Sequence, residues 1–279
     1  MPCISPILVN RVVNSRNSRD YVPCGKCNEC LKLKRNDWSF RLRMELNNKH
    51  TVAAHFLTFT YDDDHLPRNP ESGLSELRKR DVQLFMKRLR KASASCSDIP
   101  IRYYTVGEYG TQKGRPHYHS IMFNLHPHVV TRLDRIWQGG IIHAGSVTPE
   151  SIAYVTKYVI NRHGEYAGRE PPFSLMSKKP GIGAGYLDSH SDWHRDGMRG
   201  FVQVNGVIAR LPRYYKDKIF TQSERRAMGA QSIRAADEAF NEEIDRLSEF
   251  QEDPYDYMDQ LRVDKHDRVF SKLNDTNKF

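Results

Sequence analysis

The alternation of hydrophobic and polar residues predicts an α+β protein built around an antiparallel sheet. Strand-like alternation marks four segments, at 55–60, 101–109, 117–124 and 141–148. Helical spacing or a helix-start signal marks 31–47, 75–93, 128–137 and the segment that follows Pro149. The resulting order, β-α-β-β-α-β-α, is the split βαβ or ferredoxin-like pattern.

Three parts are predicted along the 279 residues, a length that can bury a core. Residues 1–50 form an irregular, Cys-rich and basic N-terminal segment that leads into the helix at 31–47. Residues 51–165 form the core with the sheet, in which Ser75 is expected to cap a helix. Residues 166–279 form a C-terminal extension that is first loop-rich and then helical from about 222 to 250.

The chain is basic, with a formal net charge of +9 and an isoelectric point of about 9.3. A basic surface attracts polyanions, of which nucleic acid is the commonest. Basic residues occur together with aromatic ones in 30–43, 78–91 and 209–218, whereas 237–260 is acidic. This asymmetry predicts a nucleic-acid-binding face and a separate C-terminal module.

Membrane insertion and secretion are not expected. Mean hydropathy is −0.69, and no stretch approaches the roughly 20 apolar residues that cross a bilayer. The N-terminus lacks a basic leading region and a small-residue cleavage site. The interpretation is an intracellular protein without a membrane partner.

A pair of histidines in the third strand is the first candidate site. Because side chains alternate across a strand, His117 and His119 share one face and Tyr118 takes the other. A short loop joins this strand to the end of the preceding one, so a hairpin can bring Glu108 beside the histidines. Two imidazoles and a carboxylate would bind a divalent cation and leave positions open for substrate oxygens. The alternative is two partly exposed histidines and a solvent-facing carboxylate.

The helix after Pro149 carries the second candidate. Tyr154 and Tyr158 lie four residues apart and therefore on one helix face, with Lys157 three residues from the first tyrosine. Such a pair is often only a core stripe, but Lys157 would then be driven into the core. The alternative is a nucleophile that attacks a phosphodiester. A phenol has a pKa of about 10, so a nearby cation must assist it.

Three strings in this order resemble the motifs of the HUH-type replication initiators. They are HFLTFT (55–60), RPHYHSIMF (115–123) and YVTKYV (154–159). The likeness is closest to the initiators of the Microviridae, in particular the gokushovirus branch. Supporting strings extend it over roughly 22–220: VPCGKCNECLKLKRNDW, GEYGTQKGRPHYH, MSKKPGIG and RLPRYYKDKIF. Tyr118 replaces the bulky aliphatic residue that usually stands between the histidines.

The resemblance implies an HUH endonuclease core that binds Mg²⁺ or Mn²⁺ through His117, His119 and Glu108. It also implies that Tyr154 and Tyr158 cleave and rejoin DNA in turn, through a covalent 5′-phosphotyrosine link. The implied partners are single-stranded viral DNA, the origin on supercoiled replicative-form DNA, and a host helicase and DNA polymerase. The implied location is the cytoplasm of a bacterial host. Which tyrosine attacks first is left open.

Three of the five cysteines, Cys24, Cys27 and Cys30, form two overlapping CxxC steps. A disulfide framework is not expected in an intracellular protein. A closed tetrahedral zinc site would need a fourth ligand, for which Cys3 is preferred and His50 or His55 are alternatives. The other interpretation is a loop with reduced thiols. Cys96 stands alone and is interpreted as a small residue near a helix end.

Two rival interpretations of function stay open. One is a plasmid initiator, relaxase or transposase of the same HUH type. The other is a non-enzymatic, zinc-containing protein that binds single-stranded DNA, with the tyrosines as stacking platforms. The second predicts that no covalent protein–DNA adduct forms.

Overall fold

A computed structural model describes most of the chain and confirms the α+β class. The described residues are 3, 5–13, 16–110, 113–157, 166, 168–204, 206–261 and 263–264. The strands are β1 (Ile7–Val13), β2 (Arg16–Val22), β3 (Ala54–Tyr61), β4 (Arg102–Tyr109), β5 (Pro116–Phe123), β6 (Gly140–Ser146), β7 (Phe173–Met176), β8 (Phe201–Val204) and β9 (Val207–Arg210). The helices are α1 (Asn28–Leu46), α2 (Lys79–Ser93), α3 (Pro127–Val130), α4 (Leu133–Trp137), α5 (Pro149–Lys157), α6 (Tyr186–Asp196), α7 (Arg213–Ile219) and α8 (Gln222–Ser248).

The main sheet has five strands in the order β6-β3-β5-β4-β7, and every neighbouring pair is antiparallel. The four predicted strands are β3, β4, β5 and β6. Their order in the sheet, β6-β3-β5-β4, is that of the split βαβ pattern. Strand β7 was not predicted and adds an edge next to β4. Its four residues are too few to show a period, so pairing with β4 decides their conformation.

Alternation along the strands divides the core of the sheet between its two faces. Residues such as Leu57, Phe59 and Tyr118 pack with α2 and α4 on one face. Ile121 and Phe123 pack with α1 and α5 on the other. Burial of apolar side chains on both faces fixes the pairing register, because a slip of one residue would exchange the faces.

Tyr118 lies on the α2 face, away from the two histidines that flank it. It is fully buried, and its hydroxyl lies 2.9 Å from that of Tyr61 and accepts from the backbone N–H of Arg78 at 2.9 Å. Its register partner is Gly107, where a Cβ would come within 3.1 Å of the Tyr118 ring. The glycine therefore makes room for an aromatic residue between the histidines.

The chain divides into two compact units. The central unit comprises residues 34–193 and contains the five-stranded sheet. The terminal unit comprises residues 1–33 and 194–279 and contains the hairpins β1–β2 and β8–β9. The division of the chain at residues 50 and 165 stays a prediction. Among the described residues, no helix is both long and apolar enough to cross a membrane.

Several local predictions are wrong. Part of the N-terminal segment is the hairpin β1–β2 rather than irregular chain. Ser75 does not cap α2, because that helix begins after Arg78 without a side-chain cap. Residues 128–137 form two short helices, α3 and α4, instead of one. The loop predicted beyond 165 contains β7, α6, β8, β9 and α7, whereas the helix predicted near 222–250 is present as α8.

Candidate active site

Strands β4 and β5 bring Glu108, His117 and His119 together. Glu108 is the register partner of His117, so the two side chains lie on one face of the sheet. Glu108 Oε1 lies 2.8 Å from His117 Nε2 and 2.9 Å from His119 Nε2. Glu108 and His119 are buried and His117 is half-buried. One carboxylate oxygen therefore faces two imidazole nitrogens at hydrogen-bond distance.

The position of this cluster follows from the order of residues along β5. On the face that α1 and α5 cover, Phe123 and Ile121 are apolar and buried. The next two residues of β5 on that face, toward its N-terminal end, are His119 and His117. The same strand therefore supplies core contacts at one end and polar ligand atoms at the other.

Helix α5 adds the hydroxyl of Tyr154 to the cluster. Tyr154 Oη donates to Glu108 Oε1 at 3.0 Å and lies 3.4 Å from His119 Nε2. Tyr154 is 38% exposed, while Ile152 and Val155 of the same helix are buried in the core. Tyr154 is therefore not part of a core stripe. Its hydroxyl belongs to the polar cluster and its ring is accessible.

Hydrogen bonds at the far side of each imidazole set its orientation. Thr58 Oγ1 lies 3.1 Å from His119 Nδ1, and the backbone carbonyl of Arg115 lies 3.1 Å from His117 Nδ1. A carbonyl only accepts, so His117 donates from Nδ1 and, when neutral, presents a lone pair at Nε2. Phe56 stacks on the His119 ring with 5.6 Å between centroids. Both Nε2 atoms are thereby directed at Glu108.

The electrostatics of this arrangement fit a cation. Burial lowers the pKa of His117, but the hydrogen bond and charge of Glu108 and the Arg115 carbonyl outweigh it and raise the pKa above its ordinary value. A neutral His117 would place a lone pair against the Glu108 carboxylate. A proton or a metal ion between them removes that repulsion.

The distances also fit a divalent metal ion. The three ligand atoms lie within 4.8 Å of one another, and two of the separations are 2.8 and 2.9 Å. Adjacent ligands around an octahedral Mg²⁺ are about 3.0 Å apart, for metal–oxygen bonds of about 2.1 Å. Two histidines and one carboxylate leave the other coordination positions open. Glu108, His117 and His119 could thus hold one divalent metal ion, and the choice of Mg²⁺ or Mn²⁺ stays a prediction.

The roles of the two other predicted catalytic residues, Lys157 and Tyr158, stay predictions. Lys157 is half-buried at the end of α5. Tyr158 lies outside the described residues.

Thr58 has a role that the sequence interpretation missed. It belongs to the motif at 55–60, which was assigned no contact with the histidines. Antiparallel pairing of β3 with β5 makes Thr58 the register partner of His119. The alternation of side chains along the strand was available in the sequence, since it places Thr58 and Thr60 on one face. The sequence did not show which strand would pair with β3, so it could not place Thr58 beside His119.

The four cysteines of the candidate zinc site lie together in the terminal unit. The Sγ atoms of Cys3, Cys24, Cys27 and Cys30 are within 4.8 Å of one another, and all four thiols are free of disulfides. Backbone N–H donors, Cys27 first and then Lys26, lower the pKa of the Cys24 thiol to about 6. Burial raises the pKa of Cys30 to about 12.

The alternatives for the fourth ligand, His50 and His55, lie outside this group of four cysteines. Cys96 follows the last turn of α2 and packs against the core of the central unit. It is therefore separate from the cysteine group in both chain position and environment.

Comparison with known proteins places the cluster of Glu108, His117, His119 and Tyr154 inside a matched family region. The family described as "Replication-associated protein ORF2/G2P" matches residues 54–163. No solved structure matches the chain.

Three curated relatives are similar over a longer part of the chain. The replication-associated protein VP4 of Bdellovibrio phage phiMH2K is 30% identical, over 70% of this chain and 66% of its own length. The replication-associated protein ORF4 of Chlamydia phage 1 is 29% identical, over 70% and 53%. The replication-associated protein ORF2 of Spiroplasma virus 4 is 30% identical, over 64% and 59%. The chain thus spans between 53% and 66% of the length of these relatives.

Proposed function

The chain belongs to a family of replication-associated proteins found in phages, and we propose that it initiates rolling-circle replication by nicking DNA at the origin. The names of the relatives support a role in phage DNA replication. The nicking chemistry is inferred from the site. The proposed substrate is the origin on single-stranded viral DNA and on supercoiled replicative-form DNA.

The observation that carries the proposal is the position of the Tyr154 hydroxyl. It lies 3.0 Å from Glu108 Oε1 and 3.4 Å from His119 Nε2, next to the proposed metal ligands. Mg²⁺ or Mn²⁺ bound by Glu108, His117 and His119 would neutralise charge that develops on the phosphodiester oxygens. A phosphate at this site would therefore lie next to a phenol oxygen.

In the proposed reaction, Tyr154 Oη attacks the phosphorus atom of the scissile phosphodiester. A bond forms between Oη and phosphorus, and the bond from phosphorus to the 3′ oxygen breaks. The phenolic proton is lost, and the departing oxygen gains a proton to become a 3′-hydroxyl. The product is a 5′-phosphotyrosine link that keeps the energy of the broken bond, so rejoining needs no ATP.

We further propose that Tyr158 serves the second cleavage of each cycle. After a host polymerase has extended the 3′-hydroxyl, Tyr158 would cut the regenerated origin. The freed 3′-hydroxyl would then attack the first phosphotyrosine and close a circle. Lys157, three residues from Tyr154 on α5, is proposed to assist the phenol as a cation. A host helicase would open the duplex, and the whole cycle would take place in the bacterial host cell.

A binding protein without enzymatic activity accounts less well for the site. Stacking of bases on Tyr154 needs an accessible ring, which the tyrosine has at 38% exposure. It does not require the hydroxyl to lie against the carboxylate of Glu108 and the imidazole of His119. A plasmid initiator, relaxase or transposase with the same chemistry would share the site and differ in its DNA target.

The direct test is the formation of a covalent adduct. Purified protein is incubated with end-labelled single-stranded viral DNA and Mn²⁺, boiled in detergent and separated on a denaturing gel. We expect labelled DNA that migrates with the protein and returns to its normal position after protease treatment. Binding to DNA fragments that cover a whole genome, without any such band, would favour the non-enzymatic binding protein.

Replacing Thr58 with valine is expected to weaken metal binding by roughly 10- to 100-fold, because the hydrogen bond that orients His119 is lost. Valine keeps the shape of threonine and the strand conformation. The measurement is a Mn²⁺ titration by calorimetry, together with a metal titration of adduct formation. Higher metal concentration should restore much of the activity.

The matched control is Thr60→Val. Thr60 lies on the same strand face, but its hydroxyl donates to the backbone carbonyl of Ile141. This variant should bind Mn²⁺ like the wild type. Equal metal affinity in the two variants would show that Thr58 does not position His119.

A further inference from the structure

The four cysteines of the terminal unit form a preorganised metal site. Tetrahedral zinc with zinc–sulfur bonds of about 2.3 Å requires sulfur atoms about 3.8 Å apart. Cys27 Sγ lies 3.8 Å from Cys3 Sγ, and all four Sγ atoms lie within 4.8 Å of one another. A disulfide would need about 2.05 Å. The spacing is therefore that of four thiolates around one ion.

Backbone N–H groups point at two of these sulfur atoms, those of Cys3 and Cys24. The N–H groups of Lys26 and Cys27 point to Cys24 Sγ at 3.4 and 3.2 Å. The N–H of Cys24 points to Cys3 Sγ at 3.3 Å. Such donors stabilise the negative charge of metal-bound thiolates and hold the ligands in place.

The β1–β2 hairpin, which the four cysteines flank, has little hydrophobic core to stabilise it. Cys3 precedes β1, Cys24 follows β2, and Cys27 and Cys30 lie at the start of α1. An isolated two-stranded hairpin is marginally stable in water. Its apolar residues Ile7, Leu8 and Tyr21 are 49%, 47% and 63% exposed, so they give little core.

We propose that Cys3, Cys24, Cys27 and Cys30 bind one structural zinc ion that ties both ends of the β1–β2 hairpin to the first turn of α1. The site is closed, because all four tetrahedral positions are taken by protein thiolates, and it has no open position for chemistry. It is independent of the metal site at Glu108. Zinc binding here orders the N-terminal hairpin instead of taking part in DNA cleavage.

The test is the metal content of the full chain, purified without chelator and measured by mass spectrometry. We expect about one zinc per chain in the wild type, as one tetrathiolate site requires. Cys27→Ser should lose most of it, whereas Cys96→Ser and His50→Ala should keep it. Zinc retained by Cys27→Ser at the level of Cys96→Ser would overturn the ligand assignment.

A second measurement does not depend on the folding of a variant. Exchange of the wild-type protein with Co²⁺ should produce the strong visible absorption of tetrahedral cobalt with thiolate ligands. Wild-type protein without zinc, or with iron in its place, would overturn the proposal.

A separate observation concerns a cavity of about 1060 Å³ in the terminal unit, between β8, β9, α7 and α8. Its lining includes six cationic side chains: Arg199, Arg210, Arg213, Lys216, Arg225 and Arg226. Asp217 is the one carboxylate among the lining residues, and it already pairs with Arg213 at 3.4 Å and Arg225 at 3.5 Å. Positive charge therefore exceeds negative charge around the cavity.

The lining is unlike that of a site for a small apolar ligand, which is mainly hydrophobic. Phe201, on β8, lines the same cavity and is 40% exposed. Cations that follow a phosphate backbone, with an exposed aromatic ring on which a base can stack, are the features of single-strand binding sites.

We propose that this cavity, here named the basic cavity, binds the backbone of single-stranded DNA apart from the cleavage site. This inference rests on the proposed function for its choice of DNA as the polyanion. It assigns the basic run at 209–218 to a DNA-binding role in the terminal unit.

The test compares two triple variants that each remove three positive charges. Arg210→Gln, Arg213→Gln and Arg226→Gln change exposed cavity residues. Lys49→Gln, Arg132→Gln and Arg135→Gln change exposed residues of the central unit, outside the three basic runs, as a control. Binding to labelled single-stranded DNA is measured by anisotropy over about 50 to 200 mM salt, without added Mg²⁺ or Mn²⁺ so that no cleavage occurs.

We expect the cavity variant to reduce the slope of log affinity against log salt by about 2, since each lost phosphate contact removes about 0.7. The control should keep the wild-type slope. Equal slopes in both variants would contradict the DNA-binding role of the basic cavity and would not bear on the proposed nicking activity. A reduced slope in the cavity variant, together with no covalent adduct from the wild type, would contradict the nicking activity and not the role of the cavity.

Discussion

Replacing both Tyr154 and Tyr158 with phenylalanine is expected to abolish covalent DNA cleavage and to leave DNA binding nearly unchanged. The loss should be at least about 10³-fold in rate, because no phenol oxygen remains to attack phosphorus. Phenylalanine keeps the ring of Tyr154, which packs edge-on against His119 with 4.8 Å between centroids. The helix and the stacking surface are therefore preserved.

The measurement for the tyrosine variant is the gel assay for the covalent band, run beside an anisotropy assay for DNA binding. Tyr255→Phe is the matched control, since this tyrosine is exposed and lies in the C-terminal part of the chain. Tyr154→Phe alone, compared with the double variant, reports whether Tyr158 can act by itself. A double variant that still formed the adduct would refute the assignment of these tyrosines as nucleophiles.

The second large effect is expected from His119→Ala. We expect cleavage at saturating Mn²⁺ to fall by roughly 10²- to 10³-fold, because one ligand of the cation that offsets phosphoryl charge is removed. The fold should persist, since the backbone pairing of β5 with β3 and β4 does not depend on the imidazole. Circular dichroism and thermal melting check this point.

His128→Ala is the control for the His119 variant, because His128 is exposed and lies on α3, outside the strand that carries the ligand motif. Chelator should stop cleavage by the wild type without unfolding the core of the central unit, and added Mn²⁺ should restore the activity. Full cleavage in chelator, or by His119→Ala, would remove the metal ion from the proposed mechanism.

Local sequence was sufficient where a short-range rule applies. The parity of a strand places His117 and His119 on one face, and it does so whatever the partner strands are. Helical spacing likewise located α8, and alternation located the four strands of the split βαβ pattern. Two kinds of failure have a plain local cause. Ser75 was assigned a cap because of its residue type, and β7 and the β1–β2 hairpin were missed because short strands acquire their conformation from a partner.

The sequence by itself determined which residues can carry the chemistry: the paired histidines, a carboxylate one hairpin away, the tyrosine and the cysteine steps. Only the tertiary structure decided that Thr58 lies against His119 and that Cys3 joins three cysteines more than 20 residues away. It also decided that the Tyr154 hydroxyl reaches Glu108, which is 46 positions distant in sequence. The reason is that spacing within one element is set by backbone geometry, whereas contacts between elements depend on the strand register and on how the core packs.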